Sequence, residues 1–453
     1  MDINRRHLFA ASAAGLTIGV STPPPARAVT LNVNTNATQY GIRSDSTDDQ
    51  TQALQRGIDE CARSGSPLIL PPGRYRSHLL HLPNGAQIIG TRGATHLRFI
   101  GGPALLRTEG SNHITLANLV LDGGDIALPE RHGLVHCLQG YAFRITDCEI
   151  KSSGGTGLWL ENIAGRIDGN TFDTIAGTAI VSFDALDLVV THNTIRNTAD
   201  NGIEISRTSA GDDGTMVLNN RIDGIRAGPG GTGQHGNAIN VFRAGNVIVS
   251  GNRISNCDYS AIRGNSANNI QIIGNSVSNV REVAIYSEFS FESAIIANNT
   301  IDIAAIGISV CNFNEGGRLA VVQGNIIRNL LPKRPIATAP DDDAGIGIYV
   351  EADTAVTGNV IEHAPSFGIV AGWGKYLRDV TVTGNIIRQT SVGIGISVAQ
   401  EAGAALINGN VISDSPRGAI VGLDHAKVAT TDLNRAAEGL HFAQIVLGTN
   451  VIR

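Results

Sequence analysis

The chain has 453 residues, 42% hydrophobic and only 4% aromatic, with 54 glycines and a formal net charge of -6. Scattered Lys and Arg in an acidic chain argue against a nucleic-acid face or a polybasic membrane patch. The five cysteines (Cys61, Cys137, Cys148, Cys257, Cys311) form no C-x-x-C pair and no Cys/His spacing of the zinc-site kind. They are read as core or turn residues, with Cys137 and Cys148 the pair to consider if a bridge forms, and no cofactor or metal is expected.

Residues 1–28 come first. Asn4-Arg5-Arg6-His7-Leu8-Phe9 precedes an uncharged run from Ala10 to Val20 and then Pro23-Pro24-Pro25-Ala26-Arg27-Ala28. This is the charged, apolar and small-residue order of a signal peptide, and its paired arginines resemble those of a twin-arginine signal. Cleavage is placed after Ala28, with the twin-arginine export machinery as partner and the periplasm or the cell exterior as destination. The apolar run falls short of the roughly 20 residues needed to cross a bilayer. No second run approaches that length, so no membrane span is expected in the mature protein.

Residues 29–85 are an N-terminal segment. Thr47-Asp48-Asp49-Gln50 reads as a capping box, and Leu54, Ile58, Cys61 and Ala62 follow at helical spacing until Ser64-Gly65-Ser66-Pro67 stops the helix. Such a helix would plug the end of a stacked core and cover an otherwise open sheet edge.

Residues 86–453 repeat. Gly169-Asn170-Thr171-Phe172 recurs as His192-Asn193-Thr194-Ile195, Gly251-Asn252-Arg253-Ile254, Gly274-Asn275-Ser276-Val277 and onward to Thr449-Asn450-Val451-Ile452. The period is about 23 to 26 residues with occasional excess, which means one structural unit carrying loop insertions. Each unit also holds Gly or Ala, then Ile, any residue and an aliphatic, as in Gly202-Ile203-Glu204-Ile205 and Gly347-Ile348-Tyr349-Val350. Only period-two spacing puts both aliphatics on one face, so these are short strands. One unit cannot bury that face alone; stacked units can.

The predicted fold is therefore all-β, a right-handed single-stranded parallel β-helix of about 13 coils and about 60 Å, with a short N-terminal capping helix. The recurrent Asn is assigned to a tight corner at positive φ, with its amide bonded to the Asn of the next coil. A second short helix is expected within Thr431 to Leu440.

Tyr40-Gly41-Ile42, Asp48-Asp49 and Leu68-Ile69-Leu70-Pro71-Pro72-Gly73-Arg74-Tyr75, followed by the Asn and Gly-Ile repeats, resemble the pectate-lyase-like β-helix proteins. With the paired arginines, the chain looks like a twin-arginine-translocated repetitive protein of that superfamily. The resemblance implies a polysaccharide partner held on the sheet of Gly-Ile-x-aliphatic strands. It leaves open a polysaccharide lyase, hydrolase or epimerase and, as the alternative, a non-catalytic glycan-binding or surface-organising solenoid.

On that sheet the residue between the two aliphatics faces outward. This gives a column of Val135, Trp159, Val181, Glu204, Asn240, Arg263, Tyr286, Ser309, Tyr349, Val370 and Ser397, and beside it Phe183, Ser206, Phe242, Asn265, Glu288, Cys311 and Glu351. The insertions at 206–215, 223–237 and 329–344 flank it, and loops on a rigid scaffold are where sites are built.

Asp200, Glu204, His235, Arg263 and Tyr286 are the candidate catalytic residues. His235 or Tyr286 could move a proton while Arg263 stabilises negative charge, or Asp200 and Glu204 could serve hydrolysis. Trp159, Asn240, Glu288, Tyr349 and Glu351 are candidates for substrate binding. The structural alternative is that His235 caps a glycine-rich loop and Arg263 pairs with Glu204 or Glu288. Asn197-Thr198-Ala199-Asp200, Asp212-Asp213 and Gln234-His235-Gly236 echo polygalacturonase strings, but Asp212-Asp213 precedes a strand of a different sheet. The Asp341 to Asp343 loop, with Tyr349 and Glu351, is the next candidate.

Overall fold

The computed structural model describes residues 37–231, 233–335, 343–435 and 442–453, which puts the predicted signal peptide outside the described residues. From Leu68 onward the chain runs as about 14 turns of parallel β-solenoid, each strand pairing with its counterpart one turn on. Three sheets result. Sheet 1 holds the strands after the recurrent Asn, such as Thr171–Ile175, Thr194–Thr198 and Arg221–Ile225. Sheet 2 holds the Gly/Ala-Ile strands, such as Ile180–Phe183, Ile203–Asp212 and Ile239–Gly245. Sheet 3 holds Val189–Thr191, Met216–Leu218 and Ile248–Ser250 and their counterparts.

Register follows from the inward aliphatics. Ile195, Ile222, Ile254, Val277, Ile301 and Ile327 pair in sequence along sheet 1 and are all buried. A one-residue slip would turn that whole row outward, so each coil fixes the next.

The Asn column forms a buried ladder. From Asn170 to Asn410 each backbone N–H and each Nδ2 donates to the Oδ1 of the Asn one turn on, at 2.9 to 3.0 Å. The positive φ expected of these Asn residues belongs instead to the residue before each one, for example Gly169, His192, Asn219, Gly251, Gly274 and Asn298. The turn is made one position earlier, so the ladder Asn enters the strand with ordinary φ and its side chain points into the core. Asn118 is itself an αL residue, with φ 57.

The helix Thr51–Ser64 buries Leu54, Gly57, Ile58 and Cys61 against the first coils. It starts after the expected box. Gln50 occupies the N-cap without a side-chain bond, while Asp49 Oδ1 accepts from the Thr51 N–H at 2.8 Å. Gly65, at φ 69, closes the other end, with the Gly65 and Ser66 amides donating to the Ala62 and Cys61 carbonyls.

At the far end no helix begins at Thr431. Lys427–Asp432 is a strand antiparallel to Ile420–Asp424, a turn follows to Arg435, and 436–441 lie outside the described residues. The β-branched Val428, Thr430 and Thr431 suit a strand better than a helix. All five cysteines are buried, and Cys137 and Cys148 form no bridge.

Candidate functional site

Register along sheet 2 sets the outward column as Arg107, His136, Trp159, Val181, Glu204, Asn240, Arg263, Tyr286, Ser309, Tyr349, Val370 and Gly395. Two expected members differ. Val135 faces the core and His136 takes its place, because the apolar run Leu134-Val135 hides the alternation. Ser397 is buried, donating to the Gly374 carbonyl, and Gly395 stands in the column. Glu204 and Tyr349 are five strand steps apart, about 24 Å.

The five expected catalytic residues fall into two clusters. In the first, His235 Nδ1 lies 3.0 Å from Asp200 Oδ1, at the corner leading into strand Ile203–Asp212. Glu204 follows on that strand, its Oε1 accepting from Ser206 Oγ at 2.9 Å. Burial pushes the Glu204 carboxyl above its ordinary value; the Ser206 hydroxyl opposes this and the charge of Asp200 adds to it. Buried Asn201 and Asn237 hold the group together. Asn237 N–H donates to Asn201 Oδ1 at 2.9 Å, and Asn201 Nδ2 donates to the Gln234 carbonyl at 3.1 Å.

In the second cluster Arg263 pairs with Glu288 rather than Glu204, Nε to Oε1 at 2.6 Å. Its Nη1 donates to the Gly233 carbonyl at 2.6 Å and lies 3.7 Å from Glu282 Oε2, and the guanidinium sits 5.1 Å from the Tyr286 ring centroid. Burial works against the Arg263 charge, but Glu288 and Glu282 outweigh it and raise the pKa further. Burial also lifts the Tyr286 hydroxyl well above 10, so it can donate a hydrogen bond but is a poor base near neutrality. Asn240 lies between the two clusters in the column, largely buried.

Tyr349 and Glu351 open a third place. They line a cavity of about 420 Å³ with Tyr286, Ser309, Cys311, Arg334, Asp343, Trp373 and Tyr376. Tyr349 Oη donates to Glu351 Oε1 at 2.7 Å, and the Phe313 N–H donates to Oε2 at 2.7 Å. Burial pushes the Glu351 carboxyl up despite both bonds. The charges of Glu351 and Asp343 both bear on Tyr349, whose hydroxyl burial raises well above 10. Burial puts the Cys311 thiol at about 12, so it is no nucleophile. Asp341 and Asp342 lie outside the described residues.

Trp159 stands apart, toward the N-terminal end of the sheet. His136 stacks on it at 6.5 Å and 8°, and the Arg131 guanidinium lies 5.7 Å from its ring and 5.8 Å from that of Phe183. Asp212 and Asp213 sit at the opposite end of strand Ile203–Asp212 from Asp200. Asp213 is buried against Thr215 and 3.6 Å from Arg207, which makes it a corner residue.

The sequence reading passed over Glu282, Arg334, Trp373, Tyr376 and the Asn201–Asn237 pair. Asn201 and Asn237 could have been found, since each stands directly before a Gly/Ala-Ile strand. Trp373 and Tyr376 carry no repeat signal; they lie on a short loop that only three-dimensional closure brings over Tyr349. Among the described residues no group of His, Cys, Asp and Glu could hold a metal ion, and no helix is long and apolar enough to cross a membrane.

A family described as right-handed β-helix region matches residues 95–222 and 208–378, and the chain belongs to it. No curated protein matches the chain. Among solved structures it is similar to the N-terminal fragment of gene product 12 of bacteriophage Phi29, with 17% identity, TM-score 0.48, 85% of this chain and 68% of that one. It is also similar to the catalytic unit of a GH87 alpha-1,3-glucanase from Streptomyces thermodiastaticus, with 15% identity, TM-score 0.44, 91% and 68% coverage. A third is the A-module of mannuronan C-5 epimerase AlgE6 from Azotobacter vinelandii, with 14% identity, TM-score 0.35, 92% and 98% coverage.

Proposed function

We propose that this protein is an exported polysaccharide-cleaving enzyme that holds a glycan along sheet 2 and cleaves it at the Tyr349–Glu351 cavity. One observation carries the reading: Glu351 is a buried carboxyl with a raised pKa, oriented by two hydrogen bonds, in a cavity walled by Tyr286, Trp373 and Tyr376. A carboxyl whose pKa is raised holds its proton to a higher pH than an ordinary one, which suits it to serve a glycosidic oxygen as acid. Aromatic faces suit the apolar faces of sugar rings. Asp343, on the same cavity, is the second carboxyl that hydrolysis requires. Asp200, Glu204 and His235, with Asn240 between the clusters, are assigned to gripping the chain upstream, and Arg263 with Glu288 to fixing the loop through Gly233.

Export by the twin-arginine route is part of the proposal and rests on Arg5, Arg6 and the run to Ala28. A second reading, a glycan-binding solenoid without turnover, is favoured by the mutual neutralisation of Arg263, Glu288 and Glu282. Incubation of the purified protein with a panel of extracellular glycans separates them. Hydrolysis gives new reducing ends without the ultraviolet absorbance of an unsaturated uronate. Absorbance would mean a lyase, and binding with neither signal would overturn the enzyme reading.

A further inference from the structure

We propose that the first coils carry a second ligand site, on sheet 1 rather than sheet 2, that takes an oxyanion-bearing glycan, carboxylated or sulfated. Strands Gly73–Ser77 and Thr95–Phe99 pair Arg74 with His96 and Arg76 with Arg98. The next two turns continue the second row, Arg98 opposite Asp122 and Asp122 opposite Lys151. Tyr75, Leu97, Leu121 and Ile150 face the core, so alternation turns these six side chains outward. The loop Asp45–Thr47 forms a lip over them. It is tied down by the Asp45 N–H donating to the Arg74 carbonyl and the Arg74 N–H donating to Asp45 Oδ1, both at 3.0 Å. Lip and strands enclose a cleft of about 630 Å³.

Charge selects the ligand. Like charges directly opposite on neighbouring strands destabilise a sheet, yet Arg76 and Arg98 stand opposite in a chain whose net charge is -6. Asp122 answers Arg98 at 2.6 Å and Glu149 holds Lys151 at 3.2 Å. Among the described residues no carboxylate lies at ion-pair distance from the guanidinium groups of Arg74 and Arg76; Asp45 on the lip and Asp49 beside Arg76 answer part of their charge, and the cleft keeps a basic excess on its strands. Guanidinium forks bind carboxylate and sulfate through two parallel hydrogen bonds. The rows repeat every 4.8 Å or so along the coil axis. That is close to the rise of one pyranose, so a polymer with one anionic group per sugar would meet one row after another. A nucleic acid is disfavoured because the basic surface ends within four turns and Asp122 stands in its middle. The site lies on a different sheet from the cavity and does not depend on turnover there.

Calorimetric titration of the purified protein with chondroitin sulfate, polygalacturonate, inorganic phosphate and neutral dextran tests this at low and high salt. At least one of the two polyanions binds, with affinity falling about tenfold or more as salt rises. Arg74→Gln with Arg76→Gln weakens that binding by about tenfold or more at low salt and leaves the melting temperature within a few degrees. Glu351→Gln leaves it unchanged, which separates this site from the cavity. Should the double variant fold poorly, Arg74→Gln alone, at an exposed side chain, still weakens binding severalfold. Unchanged polyanion affinity in the variant, equal binding of dextran, binding of phosphate alone, or no binding by the wild type each overturns the proposal. The two polyanions distinguish sulfate from carboxylate as the recognised group.

Discussion

At the scale of single residues, the Asn ladder and the side chains that line the cavity over sheet 2 divide structure from chemistry. Asn275 Oδ1 accepts from both the N–H and the Nδ2 of Asn252, and its own Nδ2 donates to the Val249 carbonyl, all buried. Asn275→Ala strands those groups and costs about 3 kcal/mol by urea denaturation. Tyr376→Ala, at a half-buried loop position, changes stability by less than about 1 kcal/mol. Equal losses would contradict the division. The ladder was legible in the sequence because one residue type recurs at one position. Its φ was not, because the turn takes whichever of Gly, Asn or His precedes it.

His136 has a pH signature of its own. Burial, and then the charges of His132 and Arg107, lowers its pKa from 6.5 to about 4, and its Nδ1 has no protein partner. The fold favours the neutral ring, so this contribution is complete above pH 6.5 and is lost as pH falls toward 4, up to about 3 kcal/mol in all. His136→Gln flattens stability over that window relative to wild type; an unchanged slope would refute it. Glu204 works with the opposite sign. Its folded pKa is raised above 4.5, so its cost appears as pH rises past that value, and Glu204→Gln removes it.

Among elements, the N-terminal helix was visible as a stretch of 3.6-residue periodicity in a chain otherwise of period two. It covers the first open coil. Ile58→Ala leaves a cavity beneath it and costs about 2 to 5 kcal/mol, read as a lowered melting temperature; a shift within error would mean that the helix does not close the core. The stretch 223–237 was read from sequence as an insertion beside the groove. Its anchors were not readable, because they are carbonyls: Gly231 accepts from Tyr259, Gly233 from Arg263 and Gln234 from Asn201. A side chain that bonds to backbone leaves no mark on the sequence of its partner. For the same reason Arg263 was open to either Glu204 or Glu288 until the loop was in place.

On the scale of the whole molecule, a solenoid presents many equivalent surfaces and builds a site where loops break the equivalence. The fold was legible from spacing alone, to within one coil of the observed count. The place of chemistry was only partly so, since Tyr349 and Glu351 announce themselves on the strand pattern while Trp373, Tyr376 and Arg334 arrive from loops. Export should follow the paired arginines: replacing Arg5 and Arg6 by Lys keeps the protein in the cytoplasm by cell fractionation, and normal export would contradict that. The central claim is that Glu351 supplies the proton that releases a sugar leaving group. The direct test is the turnover of Glu351→Gln on the glycan that the wild type cleaves, measured beside its affinity for that glycan. The account predicts a fall in kcat of about a hundredfold or more with affinity kept within a few-fold and the melting temperature intact; a variant that turns over at the wild-type rate would contradict it.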